Sequence, residues 1–270
     1  MNLADKKAIF VKTLSVKAAE DDGNCGISGL ALISCDEILL ADCNNDCVKI
    51  LNVRESKISS RYSSQPPSKP WDVAVINEEI AAATMPEKGE IIFMDTTNGL
   101  SKSHTLKIRK GCRGIDHQNG IIVVSFCSSP AVQILNMKGK ILNEVSDASI
   151  FVAPSFVAFS KDSKSIYVSD YLKHAVYELR LDGEVKTTTK CWKDNYPRGL
   201  AVASDGTVVV CCENTWDRLT LLMSNTGEIR YLTVEHVEEP TAFLLYEEQN
   251  KIVLCGSDSD CNEMKIFDLR

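Results

Sequence analysis

The sequence is poor in the usual tools of metal and nucleophile chemistry. It has four histidines, no Cys-x-x-Cys pair, no Gly-x-Ser-x-Gly elbow and no phosphate-cradling glycine loop. His104, His117, His174 and His236 are scattered without ligand spacing, and His117 beside Asp116 reads as a turn residue satisfied by solvent. No apolar run approaches the roughly 18 residues of a membrane-spanning helix. The opening MNLADKKAIF carries charges where a signal peptide needs an apolar core. Positive charge is also in deficit, 30 Lys and Arg against 37 Asp and Glu, and the net −7 argues against general affinity for nucleic acid. The imbalance is uneven: residues 231–270 hold nine acids and three bases, whereas Lys102, Lys107, Arg109, Lys110 and Arg113 fall in 101–115 with no acid. Any anion-seeking surface is therefore local.

Cysteine is abundant, but its eleven residues are odd in number, and the closest pairs, Cys43 with Cys47 and Cys211 with Cys212, lack zinc-knuckle spacing. Cys127, Cys211 and Cys255 sit in apolar β-type runs, where a thiol behaves as a small hydrophobe. Reduced structural thiols and a cytoplasmic location are expected.

A period dominates the rest. GLALI from Gly29, DVAVI from Asp72, GIDHQ from Gly114, FVAFS from Phe156, GLAVA from Gly199 and AFLLY from Ala242 recur at intervals of 43, 42, 42, 43 and 43 residues. Each is followed by a turn and a second β-rich run (EILLAD, EIAAAT, GIIVVS, SIYVSD, TVVVCC, KIVLCG). A third run such as CVKILN or AVYELR comes next, and a more polar fourth run closes most units. Helical periodicity is almost absent. Four short strands per repeat predict an all-β fold, a six-bladed β-propeller occupying residues 1–270 as one domain, with blades starting near 29, 72, 114, 156, 199 and 242. The sixth unit lacks a fourth strand, and AIFVKTLSV near the N-terminus belongs to no unit. Residues 9–16 are therefore expected to pair antiparallel with Glu263–Leu269 and close the ring.

The two Trp-Asp dipeptides are misplaced for a WD repeat, and the kelch double glycine is missing. YPRGLAVASDGTVVV from Tyr196, GLALISCDEILLADCNNDCVKILN from Gly29 and FVAFSKDSKSIYVSDYLKHAVYELRLDGE from Phe156 instead resemble NHL repeats. Units two, three and six are degenerate, with Thr84, Phe126 and Gly256 in place of the second-strand Asp. The resemblance covers essentially the whole chain and is strongest to the C-terminal NHL propeller of tripartite-motif proteins. It implies recognition of protein partners, in some members of structured RNA, and a role in recruiting substrates to the ubiquitin pathway. Ligase chemistry would belong to a RING, and these residues contain no RING or B-box zinc spacing and no heptad run.

In such a ring the loops entering the first strands share a face with the loops between second and third strands. The entering positions are Ser28, Trp71, Arg113, Ser155, Arg198 and Thr241; the second-to-third loops add Asn44, Asn45, Lys88, Tyr171, Lys173, His174, Trp216 and Arg218. Arginine and tryptophan are enriched at protein hot spots. Trp71, Arg113, Tyr171, Lys173, His174, Arg198, Trp216 and Arg218 are accordingly the candidate partner-binding residues, with no catalytic residue, metal or cofactor expected. The reading is a monomeric, non-catalytic interaction platform away from membranes. Two alternatives stand beside it. A propeller lactonase or esterase would need several inward oxygen ligands, but Asp72 and Asp116 are the only carboxylates near the first strands. RNA could be drawn to Ser101–Gly114, yet Lys107 and Arg109 alternate along the expected outermost strand of blade two, where lysine commonly guards an edge.

Overall fold

The computed structural model describes residues 3–191, 195–223, 226–256 and 261–270, and of residues 216, 236 and 238 the backbone alone. Its strands form six four-stranded antiparallel sheets arranged as a ring. The innermost strands are Ile27–Ser34, Val73–Val75, Cys112–Gln118, Pro154–Phe159, Tyr196–Val202 and Pro240–Tyr246. In blades one to five the chain runs outward through each sheet in order.

Why the second strands read as unbroken apolar runs is now plain: both of their faces are buried. In blade one, Ile38 and Leu40 pack toward blade six beside Val253 and Met264. Leu39 and Ala41 point the other way, against Ala81, Ala83 and Met85 of blade two. Alternate side chains of one strand thus feed two cores, as the two-residue period of a strand requires. The apolar clusters occupy the seams between neighbouring blades, all the way round to the seam where Phe243 and Phe267 of blade six meet Val209 and Leu221 of blade five. Each fully buried Leu or Ile contributes about 1.5–3 kcal/mol.

Three glycines let the blades approach closely. A Cβ on Gly29 would lie 2.3 Å from Asp72 Oδ1, one on Gly114 would lie 2.6 Å from the Phe156 Cα, and one on Gly199 would lie 3.2 Å from the Thr241 carbonyl. The glycines belong to blades one, three and five, so the contacts pair the blades as one–two, three–four and five–six. Small polar groups add cross-seam bonds. Thr84 Oγ1 donates to the Arg113 carbonyl at 2.5 Å, Ser125 Oγ to the Ser155 carbonyl at 2.7 Å, and Cys211 Sγ to the Thr241 carbonyl at 3.5 Å.

The ring closes through the N-terminal strand. Ala8–Ser15 pairs antiparallel with Glu263–Leu269, from Ala8 opposite Leu269 to Ser15 opposite Glu263, with a bulge between Phe10 and Lys12. Val16, placed in the strand by the sequence, lies just beyond it, but its amide still donates to the Asn262 carbonyl at 2.9 Å. The second-strand register also moves one position in blade two: Met85, opposite Glu90 as Asp42 is opposite Cys47, takes the place assigned to Thr84. All eleven cysteines are free thiols. Among the described residues no helix is long and apolar enough to cross a membrane.

Candidate functional site

The two carboxylates near the inner strands are bound into the ring. Asp72 accepts the Val73 amide at 2.9 Å and, across the seam, the Ile115 amide at 3.0 Å. Asp116 repeats the arrangement one blade on, accepting the amides of His117 and Phe159, both at 2.7 Å. Burial pushes the Asp72 carboxyl up to about 8 and the Asp116 carboxyl up to about 6, against the lowering effect of those amides. His117 is a strand residue rather than a turn residue; its Nε2 accepts the Gly120 amide at 3.2 Å while Asp116 turns to blade four. Asp72 and Asp116 line a central channel of about 280 Å³ walled by all six inner strands.

The face where the chain enters each first strand carries a different chemistry. Arg113 leaves blade three and lays its guanidinium carbon 4.0 Å from the Trp71 ring centroid of blade two. Trp71 in turn lies 6.4 Å from the Phe156 ring of blade four. Arg198 repeats the pattern from blade five, with its guanidinium carbon 4.7 Å from the Tyr171 ring of blade four. Tyr171 stacks on Tyr196 at 4.6 Å, and His174 tilts against Tyr196 at 4.6 Å while its Nδ1 meets the Asn195 carbonyl at 3.1 Å. Glu213 ties the second stack together: one oxygen takes Arg198 Nη2 at 2.5 Å and the other takes the Tyr171 hydroxyl at 2.6 Å. Trp71, Phe156, Arg198, Glu213 and Thr241 line a cavity of about 440 Å³ at this mouth.

The charge of Arg198 is felt at Arg113. Burial, and then the Arg198 charge, hold the Arg113 guanidinium below its ordinary range. Burial, and then the bond to Glu213, raise the Tyr171 hydroxyl. Both guanidiniums stack on rings, which leaves their edges for forked hydrogen bonds.

Of the expected site residues, Trp71, Arg113, Tyr171, His174 and Arg198 come together. Lys173 is next to them, but its Nζ donates to the Ser149 carbonyl at 3.1 Å. Arg218 is a correction: it stands in the third strand of blade five, not in a loop, and covers Tyr231 of the outer strand at 4.8 Å. The reason is the short turn after Glu213, which starts the third strand already at Trp216. The Trp216 side chain lies outside the described residues. Phe156, Tyr196 and Glu213 join the site without having been expected. An acid closing the second strand of blade five was the visible signal for Glu213.

The basic run divides. Lys107 pairs with Glu90. Arg109 follows the outer strand Ser101–Lys107 instead of lying on it, and reaches Glu144 at 3.3 Å above the Phe126 ring.

A second charged cluster is buried in blade one. Lys49 is fully buried; its Nζ meets Asp42 Oδ2 at 2.6 Å, Asp21 Oδ2 more closely, the Val16 carbonyl at 3.1 Å and Cys25 Sγ at 3.5 Å. Asp21, Cys25 and Asp42 form the one grouping among the described residues with the spacing of metal ligands. An ammonium already occupies its centre. Burial, and then Asp42, push the Cys25 thiol up to about 12. Burial alone would raise Asp42, but bonds from Lys49, Gly26 and Asn45 hold it below the usual carboxylate range.

The fold and site thus define a six-bladed β-propeller with an aromatic and arginine-lined channel mouth. No protein-family model and no curated protein sequence matches the chain. Solved structures show the fold. A protein of unknown function from Bacteroides thetaiotaomicron is 12% identical, with 96% of this chain and 76% of that one covered at a TM-score of 0.73. A catalytically inactive virginiamycin B lyase from Staphylococcus aureus with quinupristin is 15% identical, with 96% and 99% covered at 0.70. The β-propeller domain of Myceliophteria thermophila Cps50 (Swd1) is 13% identical, with 91% and 84% covered at 0.67.

Proposed function

We propose that this propeller is a non-catalytic platform that holds a protein partner on the channel-mouth face, as the resemblance to the NHL propellers of tripartite-motif proteins implies. The observation that carries the reading is the pair of arginine–aromatic stacks, Arg113 on Trp71 and Arg198 on Tyr171, contributed by blades two to five, with Trp71 and Arg198 lining one cavity. Rigid aromatic rings and forked guanidiniums are the side chains on which protein interfaces concentrate their binding energy. The platform works as a cytoplasmic monomer. Joined to a RING-bearing protein, it would be the end that recruits substrates.

Hydrolase chemistry is the weaker reading, because Asp72 and Asp116 direct their carboxylates to backbone amides across the seams. RNA binding is weaker too, because Lys107 and Arg109 are already paired with Glu90 and Glu144. Affinity capture from the native cell followed by mass spectrometry tests the platform. R113E/R198E is expected to lose partners that the wild-type chain retains; an unchanged set of partners would sink the assignment.

A further inference from the structure

The mouth carries one more positive than negative charge among its stacked groups: Arg113 and Arg198 against Glu213. Glu213 is committed to Arg198 and Tyr171. Arg113 has no carboxylate within 4.0 Å among the described residues, although burial and Arg198 both work against its charge. A partly buried cation in that state gains most from an anion brought in from outside. Other polar groups there are also unanswered. Trp71 Nε1 and Arg198 Nε are buried without a hydrogen-bond partner, as is the hydroxyl of Ser155, a residue 1% exposed and next to Phe156. Trp71 and Arg198 line the same cavity. Indole and guanidinium N–H groups only donate, so they call for an acceptor.

We infer that Arg113 and Arg198 receive a carboxylate presented by the protein partner, an inference that rests on the binding face proposed above. The charge count selects the class. A single carboxylate cancels the excess of one, whereas a phosphoryl dianion would overshoot it beside the fixed Glu213. A cationic ligand is refused, because guanidiniums already cover the Trp71 and Tyr171 rings that an ammonium would need. RNA would require a track of cations beyond this pair.

A phage-displayed library of random twelve-residue peptides, panned against the intact chain, is the probe. Enriched peptides are expected to share an Asp or Glu. Their synthetic forms should bind R113Q/R198Q at least about tenfold more weakly by fluorescence polarisation. Changing the peptide acid to its amide should give the same loss on the wild-type protein, a measurement that needs no protein variant to fold. Free-acid and amidated forms of each peptide separate a C-terminal carboxylate from a side-chain one. R113K/R198K keeps the charge but loses the fork, and is expected to weaken binding as well; full retention would reduce the site to charge attraction and overturn the clamp. Acid-free winners, affinity indifferent to the arginines, or tighter binding of a phosphoserine peptide or oligouridine would also overturn it. If such winners still depend on Trp71 in W71A, the carboxylate clamp fails while the binding face stands. Enrichment of no sequence overturns both.

Discussion

Glu213 grips the Arg198 guanidinium at 2.5 Å, and both side chains are about one-fifth exposed, so the pair works in surroundings where charge is poorly screened. It also fixes Tyr171, which couples blade five to blade four. Removing the carboxylate leaves Arg198, whose Nε already has no partner, without its counter-charge. E213A is expected to lower stability by about 1–3 kcal/mol in urea unfolding. E213Q keeps the shape and one acceptor and should lose less. Equal losses for the two variants would show that the lost charge, not packing, sets the effect.

Lys49 allows a sharper test of a buried charge. Its ammonium stands between Asp21 and Asp42 with no exposed surface, and Arg61 reaches Asp21 from outside at 3.3 Å. K49M should cost about 3–5 kcal/mol, because two carboxylates are left buried with the central cation gone. The triple variant D21N/D42N/K49M removes the opposed charges together and should recover much of that loss. Denaturant midpoints measured for both variants check the sign; a triple variant no better than K49M would show that the network contributes net stability.

The fold was legible because a propeller returns to its axis at a fixed interval and buries its second strands on both faces. The repeat from Gly29 to Ala242 and the unbroken run EILLAD both follow from that geometry. Arg113 and Arg198 could be picked out because each precedes an anchor glycine of an odd-numbered blade. Glu213 could not be assigned a role, because what it does depends on reach: Asp42 and Asp170, at the corresponding strand ends, bind nearby amides such as those of Gly26 and Ala153, while the longer Glu213 reaches Arg198 and Tyr171. Lys49 was hidden for a similar reason. In CVKILN it looks like a residue facing solvent, yet its partner Asp21 comes from a segment outside every repeat. Arg218 was misplaced because a short turn moved the strand boundary, which the repeat alone does not specify.

Asp72 predicts how stability responds to pH. Its folded carboxyl titrates near 8, above the ordinary 3.8, so between those values the folded chain holds a proton that the unfolded chain has released. The contribution is therefore full below pH 3.8 and is lost as pH rises toward 8. Asp116 acts in the same sense but only to about 6, and His117, lowered by burial, acts oppositely around its ordinary 6.5. The interval from 7 to 8 isolates Asp72. Wild type is expected to lose stability there relative to D72N, with a slope of at most about 1.4 kcal/mol per pH unit. Parallel curves from urea titrations would refute the buried titration. G29A, whose Cβ would meet Asp72 Oδ1 at 2.3 Å, should be destabilised by about 1–3 kcal/mol at any pH.

Closure by the N-terminal strand is open to the most direct test. Residues Ala8–Ser15 form the outermost strand of blade six, and Leu14 and Val16 are buried against Met264 and Ile266. Backbone bonds between Lys7 and Arg270, at 2.8 and 3.0 Å, extend the join past the ladder. Deleting residues 1–16 would strip a whole edge from Glu263–Leu269 and uncover apolar surface in the seam between blades six and one. Exposed edges of that kind recruit other chains. The truncated protein is therefore expected to unfold at a lower temperature and to elute as aggregates in size-exclusion chromatography. Adding a synthetic peptide of residues 1–16 in excess should restore part of the melting temperature, because a ligand of the folded state stabilises it by mass action. A peptide with Leu14 and Val16 changed to Asp should not. A truncated chain that stays monomeric with an unchanged melting curve would mean that the ring holds without its closing strand.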